Sequence, residues 1–188
     1  KKYLDNAIKF TQKALKEFKD KKKGGFYINS NKTKDVFEKL KSIYDSSVPS
    51  GISLIIESFA KLFYITGETS YYDEAIIALK SVSGNIKKNF FSSASLINSN
   101  DILTNAINII YLKFNNDTTL IKKIKKIYLP NMIYQEITNP EELSKKHPAY
   151  GKKIKNQKNT IYICRNQACS LPITNFDEFT KILNIKNG

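Results

Sequence analysis

The 188-residue chain is poor in the residue types that most often carry chemistry. It holds two cysteines, one histidine, one arginine, one methionine and no tryptophan. Two cysteines cannot build the disulfide scaffold of a small secreted domain. One histidine with two cysteines does not complete a His/Cys zinc site, so no metal is expected. A single histidine, His147 in the loop sequence HPAY, leaves no Ser/His/Asp order to consider and reads as a surface residue. Neither G-x-x-x-x-G-K-[ST] nor G-x-G-x-x-G occurs, so phosphate-cradling folds have no support and no cofactor is expected. No apolar run approaches the ~18–20 residues that span a bilayer, which excludes a membrane partner of that kind. The N-terminus is charged and amphipathic, without the apolar core of a signal peptide, so a cytoplasmic location is expected.

What is abundant is lysine. The formal charge is +14, and 30 of the 31 basic residues are Lys, Arg165 being the exception. A basic chain of this kind invites a nucleic-acid reading. The distribution argues otherwise: residues 1–41 carry a net +8, residues 42–110 a net −2, and residues 111–188 again +8. Base-edge readers favour the rigid fork of Arg, which is nearly absent. Lys, Asn and Ile are enriched together, as in AT-rich coding sequence. Nucleic acid is therefore not the expected partner; Lys21–Lys23 and the cluster Lys122, Lys123, Lys125 and Lys126 would form the patch otherwise.

With 41% apolar and 12% aromatic residues the chain can bury a core. Residues 2–20 repeat Leu4, Ala7, Ile8, Thr11, Leu15 and Phe18 at helical spacing, and Gly24-Gly25 supplies a stop. Residues 26–28 are short and extended, 29–34 are a polar loop, and 35–44 suit a short helix or a turn. Pro49 and Gly51 punctuate 45–53, where Ser50 or Ser53 could cap a helix over 53–66 that is apolar on most faces. Gly67 closes that helix, and a second over 70–82 completes an αα-hairpin. A further helix is expected over 92–105. The pattern then changes. Residues 107–112 read as a buried strand, 117–128 as an amphipathic helix, 132–137 and 160–164 as strands, and 176–183 as a closing helix. The polar stretch 138–159 is loop-like, with a helical signal at 140–146. The expected domains are a helical part, 1–105, and a small three-stranded α/β segment, 106–188.

Candidate chemistry is sparse. Asp45 precedes the VPSG turn and Glu57 lies on the apolar helix beyond it; two acids near a cavity can act as general acid and base. The simpler reading has Asp45 accepting backbone hydrogen bonds and Glu57 pairing with Lys61 at i,i+4. Cys164 and Cys169, with Arg165 and Asn166 between them, form a C-x4-C pair at a strand end. Redox-active pairs usually read C-x-x-C at a helix N-terminus. Two reduced buried thiols, a structural hairpin contact, a labile disulfide and half of a metal site all remain open.

Two stretches carry a family resemblance. One is Tyr44 to Ala75, YDSSVPSGISLIIESFAKLFYITGETSYYDEA; the other is Thr160 to Thr174, TIYICRNQACSLPIT, followed by an acidic helix. With Gly24–Tyr27 (GGFY), they resemble the C-terminal region of thioredoxin-domain-containing proteins related to the spermatogenesis-associated thioredoxin-like protein, across about Tyr3 to Leu183. The run Tyr162, Cys164, Arg165, Asn166, Cys169, Pro172 is its most specific part. The resemblance implies a mainly α fold with an α/β tail, in which the helices are hairpins of a partial (α/α) toroid similar to six-hairpin glycosidases and N-acylglucosamine 2-epimerases. It implies that the chain is the tail of a larger protein whose thioredoxin-like and toroid parts precede it and act as partners. It also implies a pocket formed by Gly25, Tyr27, Asp45, Pro49, Ser50 and Gly51, open to a sugar. The chain departs from the family pattern at Ser46, where Gly is usual, at Ile52, where Asn is usual, and at Ile28-Asn29, where Asp-Thr is usual; polar cavity residues are lost there.

A partial ring of helices leaves apolar edges, and large exposed apolar patches mark interfaces, so the chain is expected to pack on another protein chain or on missing residues of its own protein. Three functions are thus expected to compete. The first is a structural or ligand-pocket module, the second a carbohydrate-active epimerase- or glycosidase-like domain, and the third a thiol redox role for Cys164 and Cys169.

Overall fold

Among the described residues, the first half of the chain forms four α-helices. They are α1 (Lys2–Glu17), α2 (Gly51–Thr66), α3 (Thr69–Ser83) and α4 (Ala94–Asn105), the last entered through a 3-10 turn at Phe91–Ser93. The structure is a computed structural model that describes residues 2–35, 37–84 and 90–185. It divides into two units, 1–104 and 105–188, and each is described by itself.

In the first unit α2 is the centre. Ile56, Phe59 and Ala60 are fully buried, and Ile52, Leu62 and Phe63 nearly so. Each large apolar side chain withdrawn from water in this way contributes about 1.5–3 kcal/mol. Gly67 ends α2 in the left-handed region (φ 77°), its N–H returning to the Phe63 carbonyl at 2.8 Å. That left-handed stop folds α3 back on α2, and the small residues Ala75 and Ala78 on α3 allow close packing. Hydroxyls tie α4 to α2: Ser99 Oγ donates to the Ser53 carbonyl at 2.8 Å, and Tyr64 OH donates to the Leu103 carbonyl at 3.0 Å.

The N-terminal helix stops at Glu17, three residues before the expected end. The chain then closes a tight turn in which Asp20 N–H donates to the Gly25 carbonyl at 2.9 Å and Gly24 N–H to the Asp20 carbonyl at 3.0 Å. Gly24 (φ 73°) and Gly25 (φ 74°) both lie in the left-handed region. A Cβ on Gly25 would stand 2.1 Å from Ser81 Oγ, so conformation and close approach together demand glycine. Of the alternatives for 35–44, the helix does not form: residues 37–44 are irregular, and Val36 lies outside the described residues.

The second unit is a four-stranded mixed sheet in the order β2-β1-β3-β4, from β1 (Ile107–Leu112), β2 (Met132–Ile137), β3 (Thr160–Arg165) and β4 (Ala168–Cys169). β1 runs parallel to β2, and β3 pairs antiparallel with both β1 and β4. A parallel neighbour requires a crossover, which α5 (Thr119–Ile124) provides. One face of the sheet packs Ile107, Ile109, Tyr111, Ile161 and Ile163 against Ile121 and Ile124 of α5 and Phe179 of α6 (Phe176–Leu183). The other face packs Ile110, Leu112, Tyr162 and Cys164 against Ala149, with Leu143 and Ile154 beside them. Cover on both faces explains why all six residues of β1 are buried and why its sequence is an unbroken apolar run but for Asn108.

Two expectations of fold class are corrected here. The toroid of hairpins is not what forms: among the described residues α2 and α3 make one hairpin, with α1 and α4 beside it, and no succession of hairpins follows. The toroid rested on resemblance, and no periodicity in the residues demanded it. The sheet has four strands, not three, because β4 is only two residues long and carries no alternation that could announce it. Among the described residues no helix is long and apolar enough to cross a membrane.

Candidate functional site

An open cavity of about 500 Å³ lies on the first unit. Its walls come from the end of α1 (Ala14, Phe18), the strand-like Phe26–Ile28, the 42–50 loop (Tyr44, Val48, Pro49) and the first turns of α2 (Ile52, Leu54, Ile55). Four serines, Ser42, Ser46, Ser50 and Ser58, and two tyrosines, Tyr27 and Tyr44, are the hydroxyl-bearing residues of its lining. Tyr27, Pro49, Ser50 and Gly51, candidates from their sequence motifs, all line this cavity. Gly25 lies behind it, against α3. Ile52 is 4% exposed and adds an apolar side chain to the wall.

Asp45 does not line the cavity. Its carboxylate accepts from Ser50 N–H at 2.9 Å and Ser95 N–H at 2.8 Å, and from Ser95 Oγ. It therefore links the loop before α2 to the first turn of α4, where a carboxylate also meets the positive end of the helix dipole. Burial pushes its pKa up, but the hydrogen bonds from Ser95 and Ser50 outweigh that and hold it below the usual carboxylate value. Ser50 precedes α2, yet its side chain makes no cap bond to the helix backbone; its Oγ pairs with Ser53 Oγ at 2.5 Å. Glu57 forms an exposed i,i+4 ion pair with Lys61 at 2.5 Å.

The strongest electrostatic feature of the unit has almost no local signal in the sequence. Asp20, the lone acid in the run KDKKK, is 4% exposed and pairs with Lys41 Nζ at 2.8 Å. It also accepts from Lys22 N–H at 2.9 Å and Lys23 N–H at 3.1 Å, and from the Tyr27 hydroxyl. The Lys41 pairing, with the backbone bonds, drives its pKa far below the usual carboxylate range against the opposing effect of burial. The same hydrogen bond raises the Tyr27 phenol. Lys41 Nζ stands 5.4 Å from the Tyr27 ring centroid, a cation–π distance. The only available signal was a single acid beside a Gly-Gly turn, which says nothing about Lys41, 21 positions away.

Asp20, Asp45 and Glu57 are thus each committed to a structural partner, and none of them lines the cavity. Among the described residues no group of three or more His, Cys, Asp or Glu could hold a metal ion.

In the second unit Cys164 and Cys169 are joined as a disulfide, with Cα atoms 3.9 Å apart. Of the readings left open for this pair, the structure has the bonded one. The two residues face each other across β3 and β4, with Arg165 opposite Ala168 and Asn166-Gln167 as the two-residue turn. Both turn residues have positive φ, 49° and 65°, the pattern of a type I′ hairpin. Arg165 and Asn166 line a separate concavity of about 270 Å³ with Asn105, Ile107 and Asn131. His147, expected on the surface, is half-buried; its Nδ1 accepts from Ala149 N–H at 3.0 Å.

No family model matches the chain. It is 22% identical to human spermatogenesis-associated protein 20 over 191 aligned residues and 23% identical to the mouse and rat proteins of that name. In each case the match covers 97% of this chain and 24% of the relative. The similarity supports the relation drawn from the GGFY, VPSG and C-R-N-x-x-C motifs, and the chain spans about a quarter of the length of the curated relatives it matches.

Proposed function

We propose that the chain works as one part of a larger protein of the spermatogenesis-associated protein 20 kind, and that its helical unit is a docking module for another segment of that protein. The observation that carries this reading is the uncovered apolar surface along α1 and the cavity rim. Only Thr11 of α1 is buried; Leu4, Ile8 and Leu15 on its apolar face are half-buried, and Tyr3 and Phe10 are exposed. Val48 is 65% exposed and Leu54 47% exposed at the rim. Such a surface gains most from an apolar partner, and an amphipathic helix is the occupant whose shape and chemistry suit an apolar groove. The relatives are about four times longer than the matched region, which supplies a source for that segment. The resemblance implies that a thioredoxin-like part belongs to the same polypeptide.

This reading is favoured over a carbohydrate-active site. Asp20, Asp45 and Glu57 already hold Lys41, Ser95 and Lys61, and none of them lines the cavity, so no free carboxylate is at hand there for general acid or base work.

The test is to measure dye binding (anilinonaphthalene sulfonate) and mass by light scattering for the chain alone, then for the Val48→Asp, Leu54→Asp variant. Both residues are exposed, so the variant keeps its fold by circular dichroism. The expected result is dye binding and self-association in the parent chain, both reduced at least ten-fold in dye affinity or association constant by the variant. A monomeric parent chain that binds no dye contradicts the reading. A thermal shift with any simple sugar would favour the carbohydrate alternative.

A further inference from the structure

The geometry of the second unit points to an inference that does not depend on what fills the helical unit's cavity. We propose that Cys164–Cys169 is an exchangeable disulfide, a site at which a small thiol of the glutathione class is taken up on Cys169 and the bond is reversibly opened.

The placement of the bond supports this. It joins an edge strand of two residues, both exposed, to an interior strand. Cys164 is 6% exposed and belongs to the apolar cluster under the sheet, whereas Cys169 is exposed. A thiolate arriving from solvent therefore meets Cys169 first. The bond closes a ring across a two-residue turn, and residues 164 and 169 are already brought opposite each other by that turn. The strand pairing of β1, β2 and β3 does not involve Cys169. Opening the bond thus removes the one covalent cross-link between the tip and β3 while the pairing of β1, β2 and β3 stays in place. The far side of the tip is held independently: Ile161 and Ile173 exchange backbone hydrogen bonds at 2.8 and 2.9 Å. Within the tip the remaining ties to β3 besides the Arg165–Ala168 pairing are Ser170 N–H to the Ile163 carbonyl at 2.9 Å and Ile163 N–H to Ser170 Oγ at 3.1 Å. Gln167 sits at φ 65°, a region costly for a residue with a Cβ, so the turn itself adds little to hold the tip closed once the bond is open.

The exchange balances as follows. The thiolate sulfur attacks Cys169 Sγ, the S–S bond breaks, and its electron pair leaves on Cys164 Sγ, which takes a proton from water. A second small thiol, as its thiolate, attacks the mixed disulfide at the small-molecule sulfur and releases Cys169 as a thiolate, which is protonated in turn. The protein disulfide has gained two electrons and two protons, and two small thiols have become their own disulfide.

The experiment equilibrates the whole chain with reduced and oxidised glutathione in varied ratio, quenches with acid, alkylates, and counts labels by mass. The expected result is a passage from no label to two labels within accessible ratios, through a species carrying one glutathione on Cys169. A bond that stays closed in about 10 mM reduced glutathione without the oxidised form overturns the proposal, because that resistance marks a structural disulfide. An adduct on Cys164 also overturns it. Amide hydrogen exchange on the opened form supplies a second readout: Ile163 and Ser170 should exchange at least ten-fold faster, with Ile109 to Leu112 unchanged. Equal acceleration across β1 would make the bond a brace for the whole sheet and refute the proposal.

Discussion

Replacing Asp20 by Asn removes one charge and leaves the shape almost intact, which isolates the ion pair beneath the Gly-Gly turn. The Asn Oδ1 can still accept from Lys22 and Lys23 N–H, which lie 2.9 and 3.1 Å from Asp20 Oδ1. What is lost is the partner of Lys41, held at 2.8 Å, and the acceptor for the Tyr27 hydroxyl; an amide NH2 now faces two donors. Removing one member of a deeply buried pair costs about 3–5 kcal/mol. Here the lysine side chain is 16% exposed and keeps a bond to the Gly24 carbonyl, so it can recover part of its solvation. The expected cost is about 2 kcal/mol. Urea unfolding followed by circular dichroism at neutral pH measures it, and a double cycle with Lys41→Met separates the pair from the backbone bonds. The pH dependence has a definite sign. Asp20 has a folded pKa far below its ordinary value of 3.8, so its contribution is complete above that value and is lost as pH falls through the folded pKa. The gap between parent and variant should therefore persist down to about pH 4 and shrink below it. A gap under about 0.5 kcal/mol at neutral pH, or one that vanishes on raising the pH, would refute the reasoning.

Three further outcomes follow from the same structure. Gly25→Ala should cost about 2–3 kcal/mol in the same unfolding assay, since it adds a left-handed penalty to a Cβ placed 2.1 Å from Ser81 Oγ; a neutral substitution would show that α3 yields freely. Gln167→Gly should stabilise the second unit by about 0.5–1 kcal/mol, as a type I′ turn favours Asn-Gly, and a loss of stability would contradict the strained φ of 65°. His147 should titrate below 6.5 by nuclear magnetic resonance, because burial disfavours its cation and Nδ1 is occupied as an acceptor. Its contribution to stability is present above pH 6.5 and is lost as pH falls through the lower folded pKa, so a midpoint above 6.5 would be inconsistent with this account.

The elements most legible in the sequence were those whose signals are local. The apolar run of α2 with Gly67 after it, the unbroken INIIYL of β1 and the Asn-capped α6 each carry their cause within a few residues. Asn175 Oδ1 accepts from Glu178 N–H at 2.9 Å, as a cap should. What stayed hidden depends on partners distant in sequence. Lys41 is one of 30 lysines, and nothing local singles it out as the partner of Asp20. Asn159 lies in a stretch that read only as polar loop, yet it is buried and its Oδ1 accepts from Phe114 and Asn115 N–H at 2.7 and 3.0 Å. The end of α1 also escaped periodicity, because Phe18 still fits the helical spacing while the turn at Asp20 and Gly25 draws the chain out of the helix. Within the candidate cavity, Tyr27, Pro49, Ser50 and Gly51 could be named because they sit in compact motifs, while Ala14 and Phe18 join them only through tertiary packing.

The central claim, that the apolar surface of the helical unit receives another segment of a larger protein, is tested most directly by hydrogen exchange. The chain is compared alone and within its full reading frame. Amides of α1 and of residues 42–50 should exchange at least ten-fold more slowly in the longer polypeptide, with those of α5 and α6 unchanged. Equal rates for α1 and the 42–50 loop in the two forms would contradict the account.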